Sequence, residues 1–197
     1  MNTEPQQHFK LYKPYGYLSQ FVNNQTTRKN KKLLGELHPF PENTMAIGRL
    51  DYDSEGLLLL TTNGKMSEFV RSRKVEKEYY VQVDGLVSNE AIQQLGKSVA
   101  IRIEGKIYHT KPCKVNKLAE TPELPERAKK IRDERHGPTS WISITITEGK
   151  FRQVRKMTAS VGFPTLRLIR VRIGSIFLDN LEPGQVQAIT NYNILTS

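Results

Sequence analysis

A single cysteine, Cys113, and four scattered histidines, His8, His38, His109 and His136, are the whole supply of disulfide and soft-metal chemistry in 197 residues. One thiol cannot close an internal disulfide, and these positions form no Cys/His zinc spacing. Cys113 therefore reads as a small apolar strand residue. Long apolar runs are missing too: no stretch approaches the roughly 20 residues that span a bilayer, and the segment from Met1 to Pro14 holds no apolar signal core. No glycine-rich phosphate loop follows a strand and no Gly-x-Ser-x-Gly elbow occurs, so ATP, nicotinamide and flavin chemistry have no motif to rest on. The expectation is a soluble, cytoplasmic protein without a membrane partner.

Acidic charge is in short supply, and that is informative. Thirty Lys plus Arg stand against twenty Asp plus Glu, a net charge of +10 and a pI near 9.7. Such an excess favours a polyanionic partner through phosphate neutralisation and counterion release. The length suits one globular unit, with room for two lobes and a core that needs no staples.

Strand and turn signals dominate the order of elements. Phe9 to Tyr12 is apolar and runs into Lys13-Pro14-Tyr15-Gly16, a tight turn. A basic loop covers 23–32, and Leu33 to Leu37 forms a short helix. Thr44 to Leu50 and Leu57 to Thr62 read as two buried strands. Lys65 to Glu76 is helical, and Tyr79, Val81 and Val83 share one face of a strand. Ser88 or Asn89 caps a helix through Leu95. Val99 to Ile103 and Lys106 to Val115 make a hairpin around Glu104-Gly105. A Pro-rich basic connection fills 120–138. Trp141 to Thr147 alternates as a half-buried strand, with Ile142, Ile144 and Ile146 inward. Phe151, Val154, Met157 and Val161 form the apolar stripe of a helix stopped by Gly162 and Pro164, which leaves Arg155 on the stripe's border. A last strand, Leu166 to Ile173, carries Arg167, Arg170 and Arg172.

Between the two buried strands lies a short polar loop with three carboxylates, Asp51, Asp53 and Glu55. A basic chain that keeps three carboxylates in a short loop uses them. Calcium binding fits poorly, because the twelfth position of an EF-hand loop would be Thr62 and no helix flanks the loop. A magnesium cluster of nuclease type is a second reading.

The segment Gly48-Arg49-Leu50-Asp51-Tyr52-Asp53-Ser54-Glu55-Gly56-Leu57-Leu58 resembles the catalytic-aspartate motif of pseudouridine synthases, in the branch that modifies bacterial ribosomal RNA. Lys13-Pro14-Tyr15-Gly16, Lys77-Glu78-Tyr79 and Glu148-Gly149-Lys150-Phe151-Arg152-Gln153-Val154-Arg155-Lys156-Met157 resemble that branch's other motifs, in the same order. Val161-Gly162-Phe163-Pro164-Thr165-Leu166-Arg167-Leu168-Ile169-Arg170 is similar to members acting on the large subunit. Lys150 and Lys156 stand where Arg is common.

The resemblance implies an α+β catalytic core over 9–190, with tails at 1–8 and 191–197. That core is bilobal, mostly antiparallel, flanked by helices and centred on a cleft, and it has no S4 domain. It implies a monomer that needs no metal or organic cofactor and isomerises uridine in large-subunit (23S) ribosomal RNA. Asp51 would act on the sugar, at C1′ as nucleophile or at C2′ as base. Tyr79 would stack on the uracil and assist loss of its C5 proton, and Arg155 would pair with Asp51 and keep it ionised. Lys13, Arg49, Arg152, Lys156, Arg167 and Arg170 are the expected RNA contacts, within basic segments 28–32, 127–135 and 167–172. A non-catalytic RNA-binding or ribosome-assembly protein is the rival from another class, and a Mg²⁺-dependent nuclease a further one.

Overall fold

The computed structural model describes residues 6–22, 31–72, 75–132 and 134–190. The architecture is α+β, with antiparallel strand pairs and, among the described residues, three α-helices. The chain divides into two compact units, one built from residues 1–75 and 170–197 and the other from 76–169. The basic segment 120–138 lies wholly inside the second unit, so the chain passes between units at Val75–Glu76 and Ile169–Arg170 instead.

In the first unit come β1 (His8–Lys13), β2 (Met45–Ile47), β3 (Glu55–Thr61) and helix α1 (Gly64–Ser72). β3 pairs antiparallel with both β1 and β2. Leu57, Leu58, Leu59 and Leu60 are all at 0% exposure, which is why the strand reads as an unbroken apolar run rather than an alternating one. Phe9 and Leu11 of β1 pack with Leu58, Leu60 and Leu34, and Phe21, Leu37 and Phe40 close that cluster. Leu34 belongs to a single 3₁₀ turn, Leu34–Glu36, where the sequence predicted a short helix.

The second unit holds β4 (Lys77–Asp84), α2 (Asn89–Lys97), β5 (Ala100–Ile103), β6 (Lys106–His109), β7 (Lys114–Lys117), β8 (Thr139–Ile146) and α3 (Gln153–Ser160). β9 (Thr165–Ile173) begins there and ends in the first unit. β10 (Ile176–Phe177) and β11 (Val186–Ala188) follow, antiparallel to β9 and β1 respectively. β8 lies between β4 and β7, antiparallel to both. The predicted hairpin forms between β5 and β6, but its second arm stops at His109, and β7 is a separate strand on β8.

β8 is buried on both faces, not one: Ser143 and Thr145 are buried along with the isoleucines that alternate with them. Small hydroxyls tolerate this when their hydrogen bonds are met, and Ser143 Oγ donates to Glu78 Oε1 at 2.8 Å. Among the described residues no helix is long and apolar enough to cross a membrane. Cys113 lies outside the strands, its thiol directed to the Leu95 carbonyl at 3.3 Å. Burial, and then the Glu148 carboxylate, push its pKa up to about 11, so it holds its proton.

Candidate active site

The acidic loop is narrower than the sequence predicts. Gly48 leaves β2 with φ +73, a conformation that favours glycine. The Asp51 carbonyl then accepts the Ser54 N–H at 3.0 Å, closing a turn with Asp51 at its first position, where aspartate is favoured. Glu55 is already in β3 and 2% exposed, so only Asp51 and Asp53 belong to the loop. Among the described residues no group of three or more His, Cys, Asp or Glu is arranged to hold a metal ion.

A second segment braces this loop. The Gly16 N–H donates to the Tyr52 carbonyl at 2.9 Å, and Ser19 Oγ bonds both the N–H and the C=O of Leu50, each at 2.9 Å. The two residues flanking Asp51 are thereby held from one turn. Tyr52 is 38% exposed, with Tyr15 beside it at 6.1 Å between ring centroids and Lys31 Nζ 5.0 Å above its ring. Sequence reasoning missed Ser19: a lone serine after the Lys-Pro-Tyr-Gly turn carries no signal that its hydroxyl bonds a residue 31 positions on.

Lys13 is placed differently from expectation. It is fully buried, and Nζ donates to the carbonyls of Pro14 at 2.9 Å and Tyr17 at 2.8 Å. Burial pulls its pKa down to about 7; Glu55, Asp53 and Asp51 pull upward and the Arg170 guanidinium downward. Desolvation thus outweighs three carboxylates. A head group so enclosed meets no RNA phosphate. Lys13 instead fastens the turn that braces the acidic loop.

Arg170 is likewise turned away from solvent. It is 3% exposed, and its Nε donates to the Leu57 carbonyl of β3 at 2.8 Å. In the second unit Arg167 is 6% exposed and donates to the Pro125 carbonyl at 2.7 Å. On the strand that looked like a basic stripe, Arg167 and Arg170 are turned inward onto backbone carbonyls, while Arg172 is half-buried and donates to the Gly174 carbonyl at 2.8 Å. Arg127 donates to the Leu166 carbonyl, and Arg132 pairs with Asp84, so part of 127–135 is likewise occupied with the fold. Of the basic segment 28–32, residues 28–30 lie outside the described residues. Arg49 is exposed, next to the loop.

In the second unit Tyr79 sits on β4 opposite Ile144 of β8 and is 8% exposed. Arg152, Arg155 and Lys156 cluster at the start of α3. The helix begins two residues later than predicted, at Gln153, because Arg152 takes a left-handed conformation, φ +52 and ψ +34. Phe151 is therefore not part of the stripe. It is 67% exposed with Lys156 Nζ 5.1 Å from its ring, while Val154 and Met157 are buried as expected. A non-glycine residue at positive φ beside a cluster of cations is a conformation that surrounding structure must enforce, and such residues concentrate at functional sites.

The first unit thus holds a clamped aspartate turn, and the second a cationic helix start. The chain belongs to the RNA pseudouridylate synthase family, which it matches over residues 7–160. Among curated relatives, ribosomal large subunit pseudouridine synthase E of Xanthomonas campestris pv. campestris is 44% identical over 177 residues, 89% of this chain and 91% of that protein. The protein of the same name from Vibrio parahaemolyticus is 41% identical across 90% of this chain and 71% of its own length. A crystal structure of a pseudouridylate synthase superposes with a TM-score of 0.74 at 26% identity, covering 98% of this chain and 74% of that one.

Proposed function

We propose that the protein converts a uridine of large-subunit (23S) ribosomal RNA to pseudouridine, as a cytoplasmic monomer with no metal or organic cofactor. The observation that carries this is Asp51, set at a turn whose neighbours Leu50 and Tyr52 are both hydrogen-bonded to one bracing segment, in a chain of this family. The reaction is internally balanced. The N1–C1′ bond breaks, the uracil turns, C5 joins C1′, and the proton lost from C5 is matched by one gained at N1.

Asp51 acts on the sugar, either by attack at C1′ or by taking the C2′ proton. Tyr79 stacks on the uracil and assists removal of the C5 hydrogen, and Arg155 keeps the aspartate ionised. The target nucleotide leaves its stack at a cost of a few kcal/mol, offset by phosphate contacts. Arg49, Arg152 and Lys156 remain candidates for those contacts; Lys13, Arg167 and Arg170 take structural roles.

The test is incubation of purified protein with unmodified large-subunit ribosomal RNA and a chelator, followed by mapping of pseudouridine for wild type and Asp51→Asn. One new site, lost in the variant, is the expected result. RNA bound but never modified by wild type points to a binding protein, and RNA cleavage that the chelator abolishes points to a nuclease.

A further inference from the structure

We infer that Ser19 is a positioning residue for Asp51, and that it works by holding both backbone polar groups of the preceding residue. Its hydroxyl donates to the Leu50 carbonyl and accepts from the Leu50 N–H, both at 2.9 Å. A serine hydroxyl has one proton and two lone pairs, so a single oxygen can do both. Ser19 and Leu50 are each 6% exposed, and water has little access to replace either bond.

The brace is itself anchored. Lys13 Nζ ties down the carbonyls of Pro14 and Tyr17, the Leu18 N–H donates to the Lys32 carbonyl at 2.9 Å, and the Gly16 N–H takes the carbonyl of Tyr52. Asp51 thus sits between two residues fixed from the same short segment, and its own carbonyl closes the turn onto Ser54. Of these attachments, the Gly16, Leu18 and Ser54 ones are backbone to backbone and survive substitution. The Ser19 bonds depend on a side chain, and they grip the residue directly before the carboxylate. Loss of the hydroxyl leaves the Leu50 peptide free to rotate, and that rotation swings the carboxylate relative to C1′ and C2′ of a bound nucleotide. A misplacement on the order of 1 Å is enough to cost roughly 100-fold in rate.

This inference rests on the proposed reaction, and its test separates the two. Single-turnover rate and RNA affinity are measured for wild type, Ser19→Ala, Ser19→Cys and Ser19→Thr, each normalised to folded protein by circular dichroism. Ser19→Cys keeps the shape with a much weaker donor and acceptor, and serves where Ser19→Ala folds poorly. The expected result is a rate lowered roughly 10- to 100-fold in Ser19→Ala and Ser19→Cys, RNA affinity unchanged within about twofold, and recovery in Ser19→Thr to within about threefold of wild type. An active wild type with Ser19→Cys turning over within about threefold of it overturns the positioning role and leaves the reaction intact. So does a loss confined to RNA affinity or to the folded fraction. A wild type that makes no pseudouridine overturns the reaction itself.

Discussion

At Lys13 the electrostatics of the site become a measurable property of the whole fold. Its ammonium would ordinarily titrate at 10.5 and does so at about 7 in the folded protein, because burial disfavours the charge. Below about 7 both folded and unfolded chains hold the proton and the burial cost is fully present. Between about 7 and 10.5 the unfolded chain binds more protons, so stability rises with pH, by up to about 1.4 kcal/mol per pH unit. Denaturant unfolding across that window is expected to show the rise in wild type and a flatter profile in Lys13→Met. Equal slopes would mean that Lys13 keeps its ordinary pKa. A neutral amine still has two hydrogens for the carbonyls of Pro14 and Tyr17, so the turn survives loss of the charge.

Arg170 gives a second residue-scale expectation. Arg170→Met removes the donor to the Leu57 carbonyl from a buried site, and stability is expected to fall by about 1.5–3 kcal/mol. The salt dependence of RNA binding, read as affinity against ionic strength, is expected to stay the same, because a guanidinium 3% exposed releases no counterions from phosphate. A flatter slope in the variant would place Arg170 back on the RNA.

At the scale of elements, local signals were legible wherever the cause was local. Ser88 caps α2 by accepting the Ala91 N–H at 3.2 Å, as the Ser-Asn-Glu sequence indicates. Ser88→Ala is expected to cost about 1 kcal/mol in thermal or denaturant unfolding. Helix α3 shows the opposite case. Periodicity placed Phe151 in its stripe, but periodicity cannot register a left-handed residue at Arg152, which ends the helical path before Phe151 is reached. Arg152→Gly relieves that backbone cost and is expected to leave stability equal or raised by a few tenths to about 1 kcal/mol. If Arg152 contacts RNA, affinity falls at the same time; unchanged affinity would remove that assignment. β8 failed in a related way. Alternation of Ile with Ser and Thr reads as one wet face, yet Glu78 supplies a partner from β4 and lets Ser143 be buried.

For the whole molecule, the charge of +10 is a statement about partners, and its distribution decides how much of it reaches them. Arg167, Arg170, Lys13 and Lys10 are all under 7% exposed, so they hold backbone or, at Lys10, the Asp179 carboxylate, rather than phosphate. Affinity for ribosomal RNA is expected to fall steeply with salt, but with fewer effective phosphate contacts than the count of basic residues in the chain suggests. A titration of affinity against salt concentration measures that number directly, and Arg49→Ala is expected to reduce it by about one where Arg170→Met does not.

What the sequence determined by itself was the family, the α+β class and the buried character of β3, because each is written in contiguous residues: a motif, a period, an unbroken run of leucine. Tertiary structure alone decided which cations face inward, that Glu55 belongs to a strand, and that Ser19 reaches Leu50 across 31 positions. Those outcomes depend on which backbone carbonyls and amides lack partners once the chain is folded, and that demand exists only in three dimensions.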